Sequence, residues 1–170
     1  GKKEKDARFL SREEIQRLFE ETEEDKSTDR IMSRFFTLKN KTASEVMIPL
    51  DSCPQIASNM KLFEARRVLR NNYSPFMTIY HQEKTNIVGV IQLRDLLPLQ
   101  EETRLVDQAK SPWFIFENSP ILEVLTQFRR NNQNIAVVLD SFGKALGIVT
   151  LNLLTDEIFG QAEGALFVEE

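Results

Sequence analysis

Cysteine and histidine, the residues that most often supply a nucleophile, a base or a zinc ligand, occur once each, as Cys53 and His81. A Cys–His pair would have to use both, and a zinc site built from Cys and His ligands needs more of them. Cys53 lies between Ser52 and Pro54, with no feature that would activate its thiolate. His81 falls in a predicted hairpin turn, where an exposed histidine without a catalytic role is expected. The sequence offers no nucleophile–base pair, no phosphate loop and no internal disulfide.

The composition excludes two further classes of function. The 170 residues contain 22 Lys+Arg and 26 Asp+Glu, so the formal charge is 22 − 26 = −4, which argues against a nucleic-acid binder. Hydrophobic residues make up 41%, enough for a core, yet no apolar run approaches the roughly 18–20 residues that span a bilayer. The acidic run Glu20–Asp25 suggests a cation site or, as charge blocks usually are, a solvated helix end and loop. We expect the latter.

Two helices are predicted before residue 42, separated by that acidic run. Ser11 and Glu14 have the spacing of a capping box, with Leu10 and Ile15 placed for a hydrophobic staple. The second helix is predicted after residues 27–29, with apolar residues at helical spacing up to Phe35 and Phe36. Neither helix has an apolar face wide enough to stand alone, so both are expected to dock on the rest of the chain.

From residue 42 onward the chain repeats itself. Residues 62–81 align with 121–140 at an offset of 59, and Gly89 then aligns with Gly147 at an offset of 58. The one-residue difference falls between His81 and Gly89, where a hairpin turn tolerates it. Such repetition indicates two copies of one structural unit.

Each copy has the pattern helix, strand, turn, strand, short helix. The predicted strands are short apolar runs, and Asp140–Gly143 has the composition of a turn. Continuous apolar strands are typical of sheets covered by helices, so the fold class is α/β (α+β), two β-α-β-β-α units related by a pseudo-two-fold. The predicted boundaries are a helical lead-in at 1–41, repeats at 42–101 and 102–160, and a tail at 161–170.

Several segments resemble one family. Val46–Pro49, Gly89–Leu97 and Ala136–Asp140 followed by Gly147–Thr150 resemble two tandem CBS motifs, a Bateman module. The lead-in after Leu10, the segment Leu38–Thr42 and the stretch Phe128–Asn132 are similar to the CorC/hemolysin C family, which is linked to magnesium and cobalt transport or efflux.

The resemblance implies a place in a larger protein. The family usually has a membrane domain before this module and a small flavin-binding-like domain after it. The chain is therefore expected to be either an excised cytosolic piece of an inner- or plasma-membrane protein or a short family member, located in the cytoplasm and not itself inserted in the membrane.

The resemblance also points to a nucleotide site. In CBS pairs that bind adenine nucleotides, a Gly-x-x-Thr-x-x-Asp stretch provides a carboxylate for the ribose and a hydroxyl for a phosphate. Here the motif is split, because the first repeat has Asp95 but Gln92 in place of Thr, and the second has Thr150 but Leu153 in place of Asp. Asp95 and Thr150 are thus the first candidates, although each has a structural alternative at a helix terminus.

Three more ligand-binding candidates come from the same alignment, namely Gln92, Thr78 and Tyr80. With Tyr80 as the anchor, the family's phosphate-contacting arginine falls on Phe76. Trp113 and Phe114 are expected to pack the linker strand rather than to stack on a base.

The prediction is a regulatory module, not an enzyme. It would bind AMP, ADP or ATP, either alone or as the Mg²⁺ complex, and signal to the transporter domain of the same protein. The alternative is a structural dimerisation module with degenerate nucleotide pockets. In either case we expect a homodimer, because paired repeats expose flat helical faces that a two-fold contact can cover.

Overall fold

The structure, a computed structural model, describes the backbone of residues 11–168 and the side chains of that range apart from 18–25 and 161–168. The chain divides into two compact units, Gly1–Leu38 and Lys39–Glu170. No helix in the described range combines the length and the hydropathy needed to cross a membrane.

The N-terminal part forms one helix, α1 (Arg12–Lys39), so the prediction of two helices with a charged loop between them is wrong. The physical reason is that residues 12–39 contain neither Gly nor Pro, and Glu and Arg favour helix. The predicted capping box is confirmed: the Glu14 amide donates to Ser11 Oγ at 3.2 Å and the Ser11 amide to Glu14 Oε2 at 3.4 Å. Leu10 of the predicted staple lies outside the described residues.

The second unit contains four helices and seven strands in its described part. The helices are α2 (Ala43–Val46), α3 (Leu62–Asn71), α4 (Ile121–Arg130) and α5 (Leu151–Val168), the last of which is kinked at Gly160 (φ 59°). The strands are β1 (Ile48–Pro49), β2 (Gln55–Ala57), β3 (Phe76–Tyr80), β4 (Ile87–Gln92), β5 (Phe114–Phe116), β6 (Ile135–Leu139) and β7 (Ala145–Thr150). Short 3-10 helices cover Leu50–Ser52, Leu93–Leu96 and Leu105–Asp107.

Two sheets confirm the predicted repetition. One has the order β2-β3-β4 and the other β1-β7-β6-β5. In each repeat a parallel pair is followed by an antiparallel hairpin, and the hairpin registers match, because Ile79 pairs with Gly89 as Val138 pairs with Gly147. A register shift directly after Ile79 recurs directly after Val138. That shift lies in the hairpin where the offset changes from 59 to 58.

The strands are apolar on both faces because each face packs in a buried core. Among the described residues, one core lies on the helix side of the first sheet and includes Ile56, Leu62 and Met77. Another contains residues of both repeats, among them Phe76 and Val137. The two repeats therefore share one buried core, as expected for units of about 55 residues that are marginal alone.

Side-chain hydrogen bonds stabilise the predicted turn at Asp140–Gly143, and a β-bridge precedes the first residue of α4. Asp140 Oδ1 accepts the amides of Phe142 at 2.8 Å and Lys144 at 2.9 Å, and Gly143 adopts φ +80°. Pro120 is the N-cap of α4 and not its first helical residue, the position that proline often takes. It pairs in a β-bridge with Thr42, which keeps it extended.

Thr78 is fully buried, and its hydroxyl has no hydrogen-bond partner among the described residues. Its counterpart in the second repeat at the 59-residue offset is Val137. A buried hydroxyl without a partner costs about 1–3 kcal/mol, so Thr78→Val should raise the free energy of unfolding by about 1–2 kcal/mol. The matched variant Val137→Thr should lower it by a similar amount. Urea titrations would measure both, and a destabilised Thr78→Val protein would contradict the prediction.

Candidate functional site

A cleft, here called the main cleft, forms where the chain crosses from one repeat to the other. β1 pairs with β7 of the second repeat, and β2, a few residues later, pairs with β3 of the first. The crossing segment thereby joins loops of both repeats around a cleft of about 780 Å³. Its lining consists of Ile48, Ser52, Cys53, Tyr73, Ser74, Pro75, Phe76, Gln92, Leu93, Arg94, Asn134, Ile135, Thr150, Leu151 and Asn152.

A second cleft, the minor cleft, is the counterpart of the first under the repeat alignment. At the offset of 59, its residues Ser111, Pro112 and Ile135 correspond to Ser52, Cys53 and Phe76 of the main cleft. In the minor cleft, Gln92 stands where Thr150 stands in the main cleft. Its volume is only about 30 Å³, which accommodates about one water molecule.

Trp113 accounts for part of this asymmetry. It lines the minor cleft, and its ring lies 5.1 Å from that of Phe128. The corresponding residue of the first repeat is Pro54, whose side chain is much smaller. Trp113 therefore packs against Phe128 of α4. Of these two clefts, the main cleft is the one whose volume falls in the range of about 300–1,000 Å³ typical of small-molecule sites.

The structure brings together two of the five residues predicted to bind ligand. Gln92 and Thr150 both line the main cleft, at the ends of β4 and β7. Asp95 is exposed on the short 3-10 helix and is not in the lining. Thr78 is buried between strands, and Tyr80 packs against the shared core about 13 Å along β3 from Phe76. None of these three is among the lining residues.

Thr150 caps the N-terminus of α5, which is the structural role expected as an alternative to ligand binding. Its Oγ1 accepts the amide of Leu153 at 3.0 Å, in the first turn of α5. The hydroxyl still has its own proton to donate. Capping therefore leaves Thr150 able to donate to a ligand oxygen in the main cleft.

Arg94 is the cleft residue that sequence reasoning overlooked. It carries the only charge in the described lining and lies next to Asp95, which attracted attention through the motif. The repeat alignment contained a signal, because Arg94 corresponds to the neutral Asn152 in the second repeat. The surrounding groups are neutral hydroxyls and amides, together with the aromatic rings of Phe76 and Tyr73. This arrangement suits an anion attached to a flat ring.

Ser58 and His81 form the one contact that resembles a nucleophile–base pair among the described residues. Ser58 Oγ lies 2.9 Å from His81 Nδ1. The pair is outside both clefts, His81 is exposed, and no described carboxylate orients the imidazole. His81 therefore has a hydroxyl partner, but the described residues do not supply the further groups that a catalytic pair needs.

Cys53 is buried at the wall of the main cleft, with Sγ 3.6 Å from the Pro49 carbonyl oxygen. Burial disfavours the thiolate and raises the pKa of Cys53 to about 11. The prediction that this thiol is not activated is thus confirmed.

Known proteins share the sequence pattern and the architecture of this chain. The CBS domain model matches residues 108–160. The UPF0053 protein YegH of Escherichia coli is 30% identical over 135 residues, covering 77% of this chain and 26% of YegH. A hemolysin C homolog of Rickettsia rickettsii is 27% identical over 137 residues, covering 78% of this chain and 46% of the homolog. The chain thus spans between a quarter and a half of these two relatives.

Two solved structures share the fold. The CBS domain of the bacterial CNNM/CorC family Mg²⁺ transporter is 26% identical, with a TM-score of 0.72, covering 89% of this chain and 98% of that one. The same domain in complex with ATP gives 24% identity and a TM-score of 0.73, covering 79% and 98%.

The raised pKa of Cys53 predicts an unusual pH profile for thiol labelling. At pH 8 a thiol with a pKa of about 11 is about one part in a thousand thiolate, which is the reactive form. The labelling rate of the native protein should therefore rise about tenfold per pH unit from pH 7 to 10. The urea-unfolded chain should level off above about pH 9. Because Cys53 is the only cysteine, a disulfide reagent reads it directly. A native profile that levels off near pH 9 would contradict the prediction.

Proposed function

We propose that this chain, a tandem pair of CBS domains similar to those of the CNNM/CorC and hemolysin C proteins, binds an adenine nucleotide in the main cleft and passes its occupancy to an attached ion-transport domain. The observation that carries the proposal is a nucleotide-sized cleft that contains one cation, hydroxyl and amide groups, and aromatic rings.

The chemistry of the lining fits the parts of a nucleotide. Arg94 offers a charge-assisted hydrogen bond to a phosphate, and Thr150 offers a hydroxyl proton at the start of α5, where helix amides favour negative charge. Phe76 and Tyr73 supply apolar and aromatic surface for a base. The described lining has no carboxylate, so a magnesium ion would arrive with the phosphates rather than on the protein.

Coupling to transport would follow from where the cleft lies. Both repeats and the crossing segment between them contribute to its lining. A ligand that contacts all three favours one arrangement of the repeats, which is the requirement for signalling by population shift. Magnesium and cobalt are the proposed ions, and a membrane domain of the same protein is the proposed receiver on the cytoplasmic side.

The Arg94 side chain provides the sharpest test. Arg94→Gln should weaken AMP and ATP binding about tenfold, since a hydrogen bond to a charged group contributes about 1.5–3 kcal/mol before solvent screening. Titration calorimetry would measure this against Arg104→Gln, which removes the same charge at an exposed position outside the lining. Equal affinities in the two variants would reject the assignment of Arg94.

Thr150 needs a different substitution. Thr150→Ala would remove the cap of α5 as well as a ligand contact and so lower the melting temperature by itself. Thr150→Asp keeps an oxygen that caps the Leu153 amide but has no proton to donate and repels phosphate, so it should weaken nucleotide binding without lowering the melting temperature. Thr150→Ser keeps both the cap and the hydroxyl and is the matched control.

The second candidate function is a dimerisation module without ligand. The closed minor cleft and the capping bond of Thr150 favour it. If AMP, ADP and ATP at millimolar concentration cause no shift in melting temperature, the chain is a dimerisation module and not a nucleotide sensor.

Either function is proposed to act through a homodimer. Four apolar residues of α1, spaced to share one helix face, are exposed: Ile31, Met32, Phe35 and Phe36. The rings of Phe35 and Phe36 meet edge to face at 6.2 Å. Light scattering at tens of micromolar should show a dimer, and the double variant Phe35→Ser, Phe36→Ser should shift it towards monomer. A native protein that is strictly monomeric would contradict the prediction.

A further inference from the structure

We propose that the main cleft does not distinguish ribose from 2′-deoxyribose, so that deoxyadenine nucleotides bind as well as their ribose counterparts. This inference rests on the proposed function and concerns the specificity of the same site. It follows from the absence of a carboxylate among the described lining residues.

The described lining of the main cleft contains no Asp or Glu. A carboxylate is the side chain best suited to a ribose, because its two oxygens accept hydrogen bonds from both sugar hydroxyls and donate none. The two carboxylates adjacent in sequence to lining residues are Asp51, beside Ser52, and Asp95, beside Arg94. Both are exposed, and neither is part of the lining.

The polar groups that are present select weakly between the sugars. The amides of Gln92, Asn134 and Asn152 each carry donors and an acceptor, so they are satisfied by water as readily as by a hydroxyl. Strong rejection of a ligand that lacks one hydroxyl requires a buried partner left without a hydrogen bond. Asn152 is exposed and Gln92 and Asn134 are not fully buried, so water replaces the missing hydroxyl.

The phosphate contact is independent of the sugar. Arg94 is the one charged group in the described lining, and it meets the same phosphate whether the 2′ position carries a hydroxyl or a hydrogen. Affinity in this cleft should therefore follow the number and charge of the phosphates, and not the 2′ position.

The experiment is a calorimetric titration of the whole chain with AMP and dAMP, and with ATP and dATP, at one ionic strength. The dissociation constants within each pair should agree to within about threefold. Asn152→Asp, an isosteric change at the start of α5 where a carboxylate suits the helix terminus, places a carboxylate in the lining. It should weaken binding overall by repulsion of phosphate and raise the preference for ribose to about tenfold or more. Gln108→Glu adds the same charge at an exposed position outside the lining and should change neither quantity.

Each outcome has one meaning. A native protein that binds AMP at least tenfold more tightly than dAMP overturns the inference and leaves the proposed function standing. If the native protein binds AMP and dAMP equally and Asn152→Asp gains no preference for ribose, the missing carboxylate is not the cause of the equal affinities. Absence of binding by all four nucleotides overturns the proposed function and the inference with it.

Discussion

The antiparallel pairing of β1 with β7 is the contact that organises the second unit. It joins the beginning of the first repeat to the sheet of the second, with Ile48 opposite Ile148 and Pro49 opposite Gly147. Gly147 permits the approach, because a Cβ there would collide with the Ile48 carbonyl oxygen and lie 2.8 Å from Met47 Sδ. A larger residue at this position would push β1 off the sheet edge.

Neighbouring contacts hold the same segment on the second repeat. The amides of Ala43 and Ser44 donate to the carbonyls of Ser119 and Glu117 at 2.8 and 3.0 Å, and Lys41 forms a half-buried ion pair with Glu157. Only after Pro49 does the chain turn back to pair with β3. The main cleft lies at this turn, so its walls come from both repeats, and the same contacts that join the repeats also create the site.

The two clefts show how single side chains change the volume and charge of a cleft on a repeated scaffold. Backbone elements, hairpin registers and even the irregularity in each hairpin match between the repeats, yet one cleft has a volume of about 780 Å³ and the other about 30 Å³. Part of the difference is side-chain volume, with Trp113 in one repeat where Pro54 stands in the other. Charge differs as well, because Arg94 corresponds to Asn152. The two copies therefore differ at these clefts in both volume and charge.

Local sequence was enough to predict the repeat, the four hairpin strands, the Asp140 turn and the capping box at Ser11, because each depends on periodicity or on hydrogen bonds between near neighbours. The prediction from local sequence was wrong at residues 20–25, where the acidic run suggested a loop but α1 continues as a helix. The membership of the site was not predictable in the same way: Gln92 and Thr150 line the cleft, while Asp95, Thr78 and Tyr80 lie elsewhere and Arg94 was overlooked. Tertiary packing settles that membership, because the lining comes from separate segments that the crossing of β1 brings together. Motif spacing along the chain does not encode which side chains face a cleft that several segments share.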